Sequence, residues 1–335
     1  MGPTLDLLEQ VDRPWMGPKN FLSLVILMEN LRIRIGTRGS ALALKQTYWV
    51  KEQLKKIYPD AKIEVICIKT KGDKITDAPL AKIGGKGLFV KEIEEALLSE
   101  RIDLAVHSLK DVTTELPRGL CLGAITERED PRDVLISKEN IPFSKLPEDA
   151  ILGTSSLRRK AQILHLRPKF TIVPLRGNVD TRIKKMREKN LDAIILASAG
   201  IRRMGLEENI TEYLPLDVIV PAIGQGALAI EIREERDWKD IVSPLNHLPT
   251  ALATMAERAF LRRLQGGCQV PIAAYAEIKD GRLSIVGMVA EVEGRRLLKQ
   301  KISGLPEEAE ALGTALADSL LKAGAREILE EVYGR

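Results

Sequence analysis

Hydrophobic and polar positions follow two rhythms along most of this chain. Residues 31–35 alternate apolar and basic side chains, the period of a half-exposed strand. The turn Gly36-Thr37-Arg38-Gly39-Ser40 follows, and then Ala43, Thr47, Val50, Leu54 and Ile57 fall on one helical stripe. Strand-like runs recur at 62–69, 102–106, 120–123, 150–152, 170–175, 192–196 and 227–232. Helical patterns lie between many of them, one marked by Phe89, Ile93, Ala96 and Leu97. This alternation predicts an α/β fold with mostly parallel sheet.

Beyond about residue 250 the pattern changes. A helix is expected over 250–265, then strands at 272–278, 283–289 and 297–302. The last helix should start at Pro306 with Glu307 and Glu308 in its first turn, bury Ala309, Leu312, Leu316, Leu320 and Ala323, and stop before Gly324. The expectation is a small α+β domain with an antiparallel sheet.

Residues 31–126 with 227–245 therefore read as one α/β lobe, 127–226 as a second and 246–335 as a third domain. The charged run 127–133 and the segment 221–226 are the expected crossovers. A short echo between Ile35-Gly36-Thr37-Arg38-Gly39-Ser40 and Leu152-Gly153-Thr154-Ser155-Ser156 suggests two similar lobes facing each other across a cleft. Residues 1–30 read as an extension to the native fold, with Met28 as the expected native start. Their apolar run, 21–28, is too short to span a bilayer, and no small-residue cleavage site follows it.

Composition narrows the function. With 335 residues, 44% hydrophobic and 29% charged, the chain is long enough for two or three soluble domains. A net charge of +4 says little by itself but is compatible with a concentrated basic site for an acidic ligand. Aromatic residues make up only 4% and do not interleave with the basic turns, which argues against nucleic acid as a partner. There is no P-loop, and no GxGxxG after the first strand. His107, His165 and His247 share no metal-ligand spacing, so no metal is expected. Cys67, Cys121 and Cys268 are odd in number and widely spaced, which points to a reducing cytoplasm, and the first two should be buried in strands.

Three constellations could carry chemistry. Arg38 and Ser40, then Ser155, Arg158 and Arg159, then Arg176 and Arg182 all sit at expected helix starts, where free N–H groups attract anions. A lone arginine there usually faces water, but three such turns suggest a cluster, which Lys82 and Lys86 could join from a glycine-rich segment. Lys110-Asp111 ends a buried strand, where α/β proteins place ligands. Asp111 is either an ordinary turn residue or a negative charge reserved for a cationic intermediate. Cys268, in Gly266-Gly267-Cys268-Gln269-Val270-Pro271, either packs as a small hydrophobe or displays a thiol for covalent chemistry.

Taken together, segments 80–89, 105–111, 127–133, 153–159, 175–182, 221–226 and 266–271 resemble the porphobilinogen deaminase family, and the resemblance runs colinearly from about Leu31 to Tyr333. Lys71 departs from it, standing where arginine is frequent. The resemblance implies two lobes like those of periplasmic binding proteins plus a small C-terminal domain. It implies a transferase carrying a dipyrromethane cofactor as a thioether on Cys268. Four porphobilinogen units would be condensed with loss of ammonia, and water would release hydroxymethylbilane. Asp111 and Lys110 would be catalytic. Arg158, Arg159, Thr154, Ser155, Ser156, Arg176 and Arg182 would hold the cofactor with them. Arg38, Ser40, Lys82, Lys86, Phe89 and Gln225, again with Arg176 and Arg182, would hold substrate. The product would pass to uroporphyrinogen-III synthase, and the enzyme would be a monomer that binds neither nucleic acid nor membrane. A non-catalytic anion-binding protein would keep the cationic turns but would need neither Cys268 nor Asp111.

Overall fold

Ile33 and Ile35 of β1 (Arg32–Arg38) are fully buried, as the alternation requires, and the strand ends where the basic turn begins. The structure, a computed structural model, describes residues 31–74, 90–266 and 270–334. Lys82, Lys86, Phe89 and Cys268, and the expected extension 1–30, therefore lie outside the described residues. Ser40 caps α1 (Ala41–Ile57), its hydroxyl accepting the Ala43 N–H at 3.3 Å. Ser156 does the same for α3 (Leu157–Leu166) through the Arg159 N–H; α2 (Lys91–Leu98) lies between them in the chain. Such a cap is worth about 1 kcal/mol.

Two five-stranded sheets share one plan. The first is ordered β2-β1-β3-β10-β4 and the second β7-β6-β8-β5-β9. The first contains β2 (Lys62–Ile68), β3 (Leu104–Ser108), β4 (Leu120–Ile125) and β10 (Leu228–Arg233). The second contains β5 (Asp133–Ser137), β6 (Ile151–Gly153), β7 (Thr171–Val173), β8 (Ala193–Ala197) and β9 (Glu212–Tyr213). Helices α4 (Val179–Glu188) and α5 (Ser198–Met204) complete the second lobe, and α6 (Arg236–Val242) follows β10.

The sheets are less parallel than the sequence predicts. β1 runs parallel to β2 and β3, and β6 to β7 and β8, but β10 is antiparallel to both its neighbours and so is β5. In each lobe the fourth strand belongs to chain that has just arrived from the other lobe. Leu228 pairs with Ser108 and Asp133 with Ala197, so each arriving strand enters where its parallel neighbour ends and must run the opposite way. Cys67 and Cys121 also depart from expectation. β2 is an edge strand, Cys67 is exposed, and Cys121 on β4, the opposite edge, is half-buried.

The third sheet, β11 (Ile272–Lys279), β12 (Arg282–Ala290) and β13 (Leu297–Gly304), is antiparallel as expected. It packs on α7 (Leu248–Arg263) and α8 (Ala309–Leu320) around Phe260, Ile285 and Leu316. The last helical segment does not stop at Gly324. That glycine takes φ +106 inside a wide turn, and α9 (Arg326–Tyr333) continues beyond it to bury Ile328 and Leu329. A residue without a Cβ can bend a helix as readily as end it.

The units are bonded to each other. Glu257 of α7, fully buried, accepts from Arg128 Nη2 at 2.8 Å, from the Ala276 N–H at 2.8 Å and from the Gly224 N–H at 2.6 Å. It thereby ties both crossovers to the third domain. Between lobes, Lys45 donates to the Met204 carbonyl at 2.9 Å.

Candidate active site

The parallel strands of both lobes end at loops that carry most of the singled-out residues, the edge at which open α/β sheets place ligands. β3 ends in a single 3-10 turn, Leu109–Asp111. Leu109 is buried, while Lys110 and Asp111 are exposed, and within the described residues neither charged head makes a hydrogen bond. Lys110 is open to water yet crowded by protein, as a residue on a cleft wall is. That crowding, helped by Arg159 and Arg158 and opposed by Asp111 and Asp133, lowers its ammonium to about 8.

The loop after β6 carries Thr154, Ser155 and Ser156. Thr154 is buried and its hydroxyl accepts the Ser156 N–H at 3.2 Å, while the exposed Ser155 donates to the Leu175 carbonyl at 3.0 Å. Ser156 is committed to capping α3. These hydroxyls shape the turn that presents Arg158 and Arg159.

The two arginines turn inward. Arg158 Nη1 donates to Asp133 Oδ2 at 2.7 Å and to the Val220 carbonyl at 2.8 Å. Arg159 Nη2 donates to Asp133 Oδ1 at 2.7 Å and its Nη1 to the Ile195 carbonyl at 3.1 Å. Gln225, expected among the substrate contacts, is also buried, and its Nε2 donates to Asp133 Oδ1 at 2.9 Å and to the Pro131 carbonyl at 2.7 Å. Burial works to raise the Asp133 carboxyl, but the two guanidiniums outweigh it and hold the group well below the usual carboxylate range. Arg159 Nε and Gln225 Oε1 are buried with no hydrogen-bond partner among the described residues.

Arg182, on the first turn of α4, donates through Nε to the Gly177 carbonyl at 2.8 Å. Burial lowers its guanidinium to about 10, with Arg159 and Arg176 pushing the same way and Asp111 opposing them. The charge on Arg182 thus senses both its own lobe and the carboxylate of the other. Arg176, half-buried, presents its carbonyl to Lys185 Nζ at 3.1 Å. Arg38 ends β1, and because β1 and β3 are parallel neighbours the Arg38–Ser40 turn leaves the sheet at the same edge as Lys110 and Asp111.

Among the described residues, Arg158, Arg159, Arg176, Arg182 and Lys110 therefore gather in one region with Asp133 and Asp111. This concentration of positive charge fits a ligand bearing several carboxylates, such as a dipyrromethane with its acetate and propionate groups. Sequence reasoning missed Asp133, which it placed in a charged crossover. The available signal was a carboxylate heading the apolar run Val134-Leu135-Ile136. It also missed Glu257, which nothing in the local pattern distinguishes from a surface glutamate.

Fold and site together describe a two-lobed α/β protein whose basic loops suit an acidic ligand. Comparison with known proteins gives the family. Residues 33–240 match the family model "Porphobilinogen deaminase, dipyromethane cofactor binding domain", and residues 251–322 match "Porphobilinogen deaminase, C-terminal domain". The porphobilinogen deaminase of Geobacter metallireducens is 56% identical over 305 residues, covering 91% of this chain and 96% of that protein. That of Carboxydothermus hydrogenoformans is 52% identical over 299 residues, covering 89% and 96%. Among solved structures, the periplasmic aliphatic sulphonate binding protein SsuA from Escherichia coli aligns at TM-score 0.35 with 17% identity, covering 71% of each chain. The chain belongs to the porphobilinogen deaminase family, a family of transferases, and carries its dipyrromethane cofactor domain. No helix among the described residues is long and apolar enough to cross a membrane.

Proposed function

We propose that this chain condenses four porphobilinogen units, releasing one ammonia for each, and liberates hydroxymethylbilane by hydrolysis. The observation that carries the reading is the placement of one exposed carboxylate, Asp111, opposite a cluster of cations supplied by the other lobe. Cys268 would hold the dipyrromethane as a thioether, and that group when bound would supply the pyrrole α-carbon to which substrate is joined. Arg159, Arg176 and Arg182 bind ligand carboxylates, while Arg158, Ser156 and Gln225 hold that surface in shape around Asp133. Arg38 and Ser40 serve incoming substrate from the first lobe, with Lys82, Lys86 and Phe89.

As ammonia leaves the substrate's aminomethyl group, positive charge spreads into its pyrrole ring. Asp111 stabilises that charge and accepts the pyrrole N–H, so its effect is larger in the transition state than in the bound substrate. It also takes the proton lost when the new carbon–carbon bond forms. Lys110, lowered to about 8, pairs with ligand carboxylate and can exchange a proton near neutral pH.

Residues 31–126 with 227–245, 127–226 and 246–335 act as the three units of the enzyme, a division that sheet membership supports. The chain works as a monomer in the cytoplasm and hands its product to uroporphyrinogen-III synthase. The exposed thiol of Cys67 supports a reducing compartment, and the presence of both faces of the site on one chain supports the monomer. Incubation with porphobilinogen should yield hydroxymethylbilane, and intact mass should show a two-ring adduct on Cys268. A bare Cys268 in active enzyme would overturn the reading.

A further inference from the structure

Two neighbours on α7, Glu257 and Arg258, hold opposite sides of the turn that carries Asp111. On one side, Glu257 Oε2 accepts the Gly224 N–H at 2.6 Å. Gly224, at φ +71, lies so close over Leu109 that a Cβ there would sit 2.7 Å from Leu109 Cγ. The Leu109 N–H donates to the Ala227 carbonyl at 3.0 Å. On the other side, Arg258 reaches from the third domain to the backbone just after Asp111. Its Nη2 donates to the Thr113 carbonyl at 2.7 Å and its Nη1 to the Val112 carbonyl at 3.3 Å. Val112 and Leu109 are buried, and Asp111 between them is exposed, so the carboxylate stands on a loop clamped at both feet.

We propose that Arg258 is a positioning residue for the reaction: its fork on the Val112 and Thr113 carbonyls fixes the Asp111 carboxylate relative to the helix that leads to Cys268. The inference rests on the role given to Asp111 in the proposed function. A planar guanidinium spanning two successive carbonyls sets the direction of the backbone as well as its distance, which one ammonium cannot do. Burial lowers the Arg258 guanidinium to about 10, with Arg262 acting in the same sense and Glu231 against it, so it stays charged at neutral pH. Misplacement of a reacting group by about 1 Å can cost on the order of a hundredfold in rate.

The test compares Arg258→Met and Arg258→Lys with the wild-type holoenzyme, each checked by intact mass for its two-ring adduct. In Arg258→Met, kcat should fall tenfold or more with KM within twofold. Amide hydrogen exchange should quicken over 109–113 and nowhere else, and Arg258→Lys should recover part of both. Should Arg258→Met not fold, Arg258→Lys decides, with kcat reduced at least threefold and unchanged melting as the supporting result. Wild-type kcat, a loss confined to KM, or a reduced kcat without faster exchange over 109–113 would overturn the proposal. Failure of the reading beneath it is recognised separately, by a wild-type chain that bears no adduct and consumes no porphobilinogen.

Discussion

Arg158 donates to Asp133 at 2.7 Å, with 7% and 0% of their side chains exposed, and Arg159 shares the same carboxylate. Removing one partner of such a buried pair typically costs about 3–5 kcal/mol, a large part of the roughly 5–15 kcal/mol that keeps a protein folded. Asp133→Asn should therefore unfold at much lower urea concentration than wild type. Because the Asp133 carboxyl titrates below its unfolded value, its contribution is present above about pH 4 and lost as pH falls below that. The gap between wild type and variant should narrow in acid, and a gap independent of pH would exclude this role.

Asp111→Ala should lower turnover by roughly 10²–10³, the scale for removing one preorganised electrostatic group. Unfolding midpoint and adduct mass should stay near wild type, since the Asp111 head makes no hydrogen bond within the described residues. Near wild-type turnover with porphobilinogen would remove Asp111 from the chemistry.

Lys110 carries its charge below about pH 8 and loses it above. If it pairs with ligand carboxylate, KM for porphobilinogen should rise as pH passes through 8. Lys110→Arg should keep a low KM to higher pH. Steady-state kinetics between pH 7 and 9.5 would decide, with identical profiles counting against the pairing.

Away from the cleft, Glu94 of α2 is buried beside Glu231, with His107 and Glu95 also near it. Glu231 Oε2 lies 2.9 Å from His107 Nε2, with both side chains buried. Burial first, then Glu231 and Glu95, raise the Glu94 carboxyl to about 6 against the opposing pull of His107. The folded state therefore holds a proton that the unfolded chain releases between its ordinary value and about 6, so stability attributable to Glu94 falls as pH rises across that window. Glu94→Gln should match wild type near pH 4.5 and exceed it by roughly 1–2 kcal/mol at pH 7.5, one pKa unit being about 1.4 kcal/mol. Denaturant unfolding at both values checks this.

The features legible in the sequence were those set by near neighbours. The helix starts after the Gly36–Ser40 turn and within the Gly153–Arg159 turn, the stripe on α1 and the three strands of the last domain all follow from side chains within a few residues of one another. The direction of β5 and β10 depends on where distant chain arrives, which no local period records. The partners of Asp133 lie 25, 26 and 92 residues away, so its burial could not be read from its charged surroundings. At the site, residue types and their approximate placement were readable. The inward turn of Arg158, Arg159 and Gln225 was not, because an arginine at a helix start looks the same whether it faces water or a buried carboxylate.

The exchange of fourth strands also sets a schedule for synthesis. Every strand of the second sheet lies between Asp133 and Tyr213, whereas the first sheet lacks β10 until the chain has passed Arg233. As the chain leaves the ribosome, the later of the two sheets is the first that can close. Residues 31–125 must wait, with Val106 and Ala124 on the strands flanking an open slot, until β10 arrives between them.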